Sequence, residues 1–213
     1  MTILKIVTRS WVWVLLLFPL VLGSFAPKYF KDWVKETDRK GIVVYLRSVP
    51  ESQIKEFRAE VKVKVPIKKI IPVLLDFRSY PKWIYATTGT YLIDSKNNKD
   101  YIYYTVVKCP EPVKDRDLVI KMTIEELSDN KCVIKTTTLP KFIGEKPNRI
   151  RVKDFYGTWE LTKISDTETL IMNQCYTDPA GKVPDWLINM MISTGPYETL
   201  ENLRDLLMGK GKK

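Results

Sequence analysis

Histidine occurs nowhere in the 213 residues of this chain. That absence removes Ser-His and Cys-His nucleophile pairs, histidine general bases and every zinc site that needs imidazole. Cysteine occurs three times, at Cys109, Cys132 and Cys175, and never with C-x-x-C spacing. Each lies in a strand-like apolar stretch and reads as a small buried thiol, of use neither to catalysis nor to metal binding. An odd cysteine count in an exported chain leaves at least one thiol free, which argues against a disulfide scaffold. No cofactor and no metal is expected. With 13 Pro and 9 Gly there is no low-complexity tract, and no repeat recurs at periods of about 20 to 50 residues. What remains is one ordinary globular domain, 45% hydrophobic and 28% charged, with a sizeable core.

The apolar run from Trp11 to Leu22 is about 12 residues, short of the ~20 that span a bilayer. Lys5 and Arg9 precede it and small residues follow, the layout of a secretory signal over residues 1–23. A cut after Gly23 is preferred to one after Ala26, where Pro27 would follow the cut unfavourably. The alternative is an uncleaved anchor reaching to about Ala26, and N-terminal sequencing of the natural protein separates the two. The expected location is the periplasm or cell envelope. No cysteine lies near the cut, so a lipoprotein is not expected. The net charge is +10; 35 basic residues less Lys5 and Arg9, against 25 acidic, leave +8. Lys and Arg are spread along the chain, and the one cluster is the tail "KGKK" from Lys210, within a basic tail at 209–213. An exported chain rarely meets nucleic acid, so the charge is read as transient contact with a membrane surface or as plain solubility. The body of the chain, residues 28–208, reads as one monomeric domain.

Along that body, "DWVKETDRKG" (Asp32 to Gly41) reads as a short amphipathic helix stopped by glycine. "IVVYLRSV" follows as a strand. In "EFRAEVKVKV", Phe57, Ala59, Val61, Val63 and Val65 alternate with Glu56, Arg58, Glu60, Lys62 and Lys64. Period two over ten residues makes a strand with one dry and one wet face. Pro66 ends it and opens the helix "IKKIIPVLLDF", with Ile67, Ile70, Ile71, Leu74 and Leu75 on one side. Pro72 inside it signals a kink or a later start. "SYPKW" is a second short helix or turn. From Thr87 the chain is nearly all strand: "TGTYLIDS", "DYIYYTVVKC", "DLVIKMTIEEL", "CVIKTTTL", "RIRVKDFYGTWELTKI" and "ETLIMNQCYTD". Short turns such as "SDNK" and "SDTE" join several of them, which predicts an antiparallel meander. A long helix closes the chain from about Val183 to Met208, with a bend expected at Gly195-Pro196. The predicted class is α+β: a curved antiparallel sheet wrapped around that helix, with space left between the two.

Four motifs in order carry a resemblance. They are "YPKW" (Tyr80 to Trp83), "CPEPVKDRDLV" (Cys109 to Val119), "GTWEL" (Gly157 to Leu161) and "DPAGKVPDWLINMM" (Asp178 to Met191). Over roughly Trp33 to Leu207 the chain resembles the START (steroidogenic acute regulatory protein-related lipid transfer) domains, and most of all the bacterial members of that helix-grip superfamily. The resemblance implies a domain that encloses one hydrophobic molecule, a lipid or sterol, in a tunnel capped by the final helix. It also makes Arg116 the inward-facing arginine at the polar end of the cavity. The acidic partner common in the family is absent from "YATTGTYLID", where Thr88-Gly89 stands instead. That leaves Asp117 or Asp94 to compensate, or Arg116 to face solvent or an acidic ligand.

The candidate ligand-binding residues are therefore Arg116, Trp159, Asn173, Trp186, Met190 and Met191. Arg116 offers a bidentate grip on a carboxylate or phosphate, or else pairs with Asp115 or Asp117 in a charged loop. Methionines suit a variable ligand, and equally an ordinary core. Trp159 is inward on its strand, as core or as ligand contact. Asn173 sits between apolar neighbours and needs a partner, whether ligand, water or backbone. Tyr101, Tyr103 and Tyr104 occupy both faces of one strand, and parity alone leaves open which points inward. Three function classes stand: a noncatalytic carrier or sensor of a hydrophobic molecule; a helix-grip cyclase or hydrolase; and an envelope interaction protein with a filled core. The first is the expected one. An enzyme without histidine needs carboxylates or tyrosines as acid and base, and Glu56, Glu60 and Glu125 all fall on wet faces.

Overall fold

The computed structural model describes residues 32–210; the expected signal or anchor segment and the last three residues of the basic tail lie outside them. The described chain opens with β1 (Val34–Arg39), β2 (Ile42–Ser48) and β3 (Lys55–Val63). There follow α1 (Ile67–Leu75), a 3-10 turn (Phe77–Ser79) and α2 (Tyr80–Trp83). The meander comprises β4 (Thr87–Lys96), β5 (Asp100–Val107), β6 (Arg116–Leu127), β7 (Lys131–Thr138), β8 (Ile150–Arg151), β9 (Asp154–Ser165) and β10 (Glu168–Asp178). Last come α3 (Asp185–Asn189), a π-helical turn (Met190–Thr194) and α4 (Gly195–Leu207). All ten strands join one sheet in the order β1-β2-β3-β10-β9-β7-β6-β5-β4, with β8 alongside β6. Every pairing is antiparallel except β6 with β8.

The alternation in β3 produces the faces it predicts. Ala59, Val61 and Val63 are at most 2% exposed and meet Leu161, Ile171, Leu200 and Leu203 in the core. Across the sheet, α4 packs on β2 and β3, so the last described element covers the second hairpin. Gly195 lets that helix approach α2: a Cβ there would sit 3.2 Å from the Tyr85 ring. Helix α1 runs from Ile67 straight through Pro72, which lies on its exposed side, and buries Ile67, Ile70 and Leu74.

Two readings need correction. Asp32–Gly41 is not a helix but the edge strand β1, paired with β2 from Val34↔Leu46 to Arg39↔Ile42. Lys40 (φ 50) and Gly41 (φ 73) are both left-handed, the backbone that a two-residue hairpin turn requires, and so the chain reverses there. Glu56 is not on a wet face: it is fully buried, held by Arg47 Nε at 2.7 Å and by Gln174 Nε2 at 2.6 Å from the flanking strands. The closing helix runs on through Gly195-Pro196, where both Thr194 and Gly195 keep right-handed helical backbone. Its irregularity is the preceding π turn. A proline has no N–H for the carbonyl one turn back and crowds it, and a widened turn relieves both problems. Among the described residues no helix is long and apolar enough to cross a membrane.

Candidate functional site

Between the concave face of the sheet and the closing helix lies a cavity of about 210 Å³. Inward positions of alternate strands make its wall: Tyr103 and Thr105 on β5, Thr136 on β7, Trp159 on β9, Asn173 and Cys175 on β10. Leu187, Met190, Met191, Pro196 and Thr199 close it from the helix side, and Tyr80, Ile84 and Tyr85 from the end of α2. The wall is mostly apolar and aromatic, with scattered polar groups, as ligand pockets are.

Four of the six candidates, Trp159, Asn173, Met190 and Met191, line this cavity. Trp159 stands edge-on to Trp83, with ring centroids 5.8 Å apart. The Asn173 amide donates to the Thr158 carbonyl at 3.3 Å, and its Oδ1 faces the open volume without a protein partner among the described residues. The helix meets the cavity with Leu187, Met190 and Met191, the i, i+3, i+4 stripe. Trp186 is one residue, about 100°, off that stripe, and it points outward at 54% exposed. It does not line the cavity.

Arg116 is also absent from the wall. Its side chain is buried, and its guanidinium is fully engaged by neighbours that carry no charge. Nε donates to Pro179 O at 3.1 Å, Nη2 to Ala180 O at 3.2 Å, and Nη1 to Lys114 O and toward Cys109 Sγ. No described carboxylate pairs with it. Asp115 accepts from the Cys109 backbone N–H, Asp117 from Arg151 and Tyr104, and Asp94 from the Ser95 N–H. Arg116 thus acts as a clamp on the turn that leads into the closing helix, where Ala180 (φ 55) and Gly181 (φ 69) are left-handed. Replacing it with Met is expected to strand three carbonyls and loosen that turn by about 1–3 kcal/mol. Hydrogen exchange at residues 180–188 is then expected to quicken while the β-sheet core stays protected; unchanged exchange would show the clamp to be idle.

Sequence parity left the tyrosines open, and packing decides between them. Tyr101 and Tyr103 turn inward onto Phe77, with centroids 5.8 and 4.8 Å away, and Tyr104 turns to the outer face. Thr136 is the wall residue that sequence reasoning missed, and strand parity is the signal that places it inward. Burial pushes the Tyr103 phenol up and the Cys175 thiol up to about 12, so both stay protonated at neutral pH and the thiol is a poor nucleophile. All three cysteines are free and buried. The sole charged residue on the wall is Lys108, which is exposed and lies 3.8 Å from Asp115. Among the described residues no cluster of acidic or cysteine side chains is arranged to hold a metal.

Comparison with known proteins agrees with this geometry. The family model described as START domain matches residues 26–210. An uncharacterized protein of Pseudomonas aeruginosa is 31% identical over 184 residues, covering 86% of this chain and 91% of that protein. The human phosphatidylcholine transfer protein is 23% identical over 210 residues, covering 86% of this chain and 94% of its own. Among solved structures, a STAR-related lipid transfer protein from Xanthomonas axonopodis superposes with a TM-score of 0.76 at 28% identity, covering 83% of this chain and 98% of that one.

Proposed function

The chain belongs to the START domain family, and from that premise we propose that it carries a lipid or similar hydrophobic molecule, without catalysis, in the cavity under its closing helix. The observation that carries this reading is the cavity wall itself. It lies between sheet and helix, is predominantly apolar, and among the described residues bears no carboxylate to form an acid–base pair. The closing helix is the gate in this reading. Its inner stripe of Leu187, Met190 and Met191 is the roof of the cavity, and the π turn is the place where it gives. The protein works as a monomer that meets a membrane only to exchange its cargo and has no business with nucleic acid. Trp186, exposed on the outer side of the same helix, is suited to enter the interfacial zone of a bilayer.

Native mass spectrometry of the purified protein, followed by incubation with lipid vesicles, tests this reading. A lipid adduct, either copurified or acquired from vesicles, is the expected result. A bare mass with no lipid uptake under any loading condition would support instead an interaction domain with a filled core.

A further inference from the structure

Beside the Tyr85 and Thr87 hydroxyls, three polar groups on the cavity wall have no hydrogen-bond partner in the protein among the described residues: the Tyr103 hydroxyl, the Thr136 hydroxyl and Asn173 Oδ1. Their residues are only 5%, 6% and 8% exposed. Every described side-chain nitrogen or oxygen that is sealed from open space is paired, so these three border the open volume of the cavity. Thr136 and Asn173 share the inner face of the sheet on either side of β9: Thr136 is in register with Gly157, Gly157 with Cys175, and Asn173 follows on the same face of the same strand as Cys175. Gly157 makes room for the Thr136 hydroxyl, since a Cβ there would come 2.8 Å from its oxygen and 3.2 Å from the Gln174 carbonyl. Tyr103 faces the same volume from further along the curve of the sheet.

We infer that the cavity takes an uncharged lipid whose head is a single hydroxyl or carbonyl, and excludes one whose head carries a phosphate or carboxylate. This rests on the carrier reading above and narrows its cargo. A ligand hydroxyl can donate to Asn173 Oδ1 while it accepts from Thr136 or Tyr103, and a ligand carbonyl can accept from either hydroxyl. An ionised head has nothing here to offset the loss of its water. Lys108 sits exposed at the rim beside Asp115, and the Arg116 guanidinium is taken up by the carbonyls of Lys114, Pro179 and Ala180.

The test is binding of three probes with the same hydrocarbon length to the delipidated full chain: oleyl alcohol, octadecene and oleoyl lysophosphatidylcholine. Binding is followed by tryptophan fluorescence and native mass spectrometry. The alcohol is expected to bind about fivefold tighter than the alkene, from one or two neutral hydrogen bonds. It is expected to bind at least about tenfold tighter than the lysophospholipid, whose charges find no partner. Tyr103→Phe keeps the ring on Phe77, and Thr136→Val keeps the shape; at least one of them is expected to erase most of the alcohol-over-alkene preference with alkene binding unchanged. Lysophospholipid binding as tight as the alcohol's would overturn the inference and leave the carrier reading intact. So would an alcohol-over-alkene preference that survives both variants. Binding of none of the three probes would overturn both.

Discussion

Replacing Asp117 with Leu is expected to destabilise the protein by about 3–5 kcal/mol, the cost of leaving one member of a buried ion pair alone. For a domain of this size that is a fall of roughly 10 °C in melting temperature, readable by calorimetry. The pair lies on the outer face of the sheet. Asp117 on β6 and Arg151 on β8 are both fully buried and bridge through two bonds, Nε to Oδ1 at 2.8 Å and Nη2 to Oδ2 at 3.1 Å. Tyr104 donates to the same carboxylate at 2.8 Å, and Arg149 donates in turn to the Tyr104 oxygen at 2.7 Å. Arg151 also donates to the carbonyls of Pro140, Ile143 and Gly144, so it staples the segment after β7 over the outer apolar cluster of Tyr104, Val106 and Val119. Arg151→Met is therefore expected to cost more than Asp117→Leu, because it strands those carbonyls as well as the carboxylate. The double replacement should recover part of the loss.

The same pair gives a pH dependence whose sign can be worked out. Burial alone would raise the Asp117 carboxyl, but hydrogen bonds from Arg151 and Tyr104, with the Arg151 and Arg149 charges, outweigh it and hold the group below the usual carboxylate range. A depressed folded-state value means stability that is fully present above the unfolded value of about 3.9 and is lost as pH falls through the folded one. The difference in stability between the parent and Asp117→Leu should thus be full at pH 6 and shrink below about pH 4. A gap that stays constant down to pH 3 would mean that the pair contributes by shape rather than by charge.

How much of this was legible in the sequence depended on whether a residue's role is set by its own strand or by another. Val61 and Val63 could be read inward because period two is a property of one strand, and the structure agrees. The run of strands from Thr87 and the closing helix were legible for the same reason. Edge strand β1 was not. Its charged residues fit a helical spacing equally well, and only pairing with β2 across the Lys40-Gly41 turn decides the matter. Glu56 alternates correctly onto the outer face but is buried there by Arg47 and Gln174, which come from neighbouring strands. Arg116 was recognisable as a special position, yet its partners are backbone carbonyls at 179 and 180, and no side-chain pattern announces those. Trp186 was assigned to an inner face drawn too wide, and a single residue's rotation puts it outside. The place of the Thr136 hydroxyl depends on Gly157, whose missing side chain makes room for it between β7 and β10.

Cross-linking the closing helix to the sheet is expected to leave the protein folded and to slow its transfer of lipid between vesicles by about tenfold or more, as gating by a lid requires. The helix stripe of Leu187, Met190 and Met191 borders the cavity, and in the proposed gate cargo passes only when that stripe is unseated. Unseating it in water exposes the buried Leu187, at about 1.5–3 kcal/mol, and uncovers more of the half-buried Met190 and Met191, which disfavours the open form in solution. Against a bilayer the same side chains meet hydrocarbon and that cost largely disappears. Opening and membrane contact are then one event, with Trp186 already on the outer side of the helix to lead it. A suitable bridge joins Ile192 of the π turn to Lys55 of β3, which border one crevice beside Phe57 and Met191. Both become cysteines after Cys109, Cys132 and Cys175 are replaced, and a short reducible cross-linker joins them. Protein linked while empty should fail to load, protein linked while loaded should fail to release, and reduction should restore both. Transfer at the same rate in the linked and reduced states would mean that the helix is fixed core, and that cargo reaches the cavity past the loop at Tyr85 and Ala86 instead.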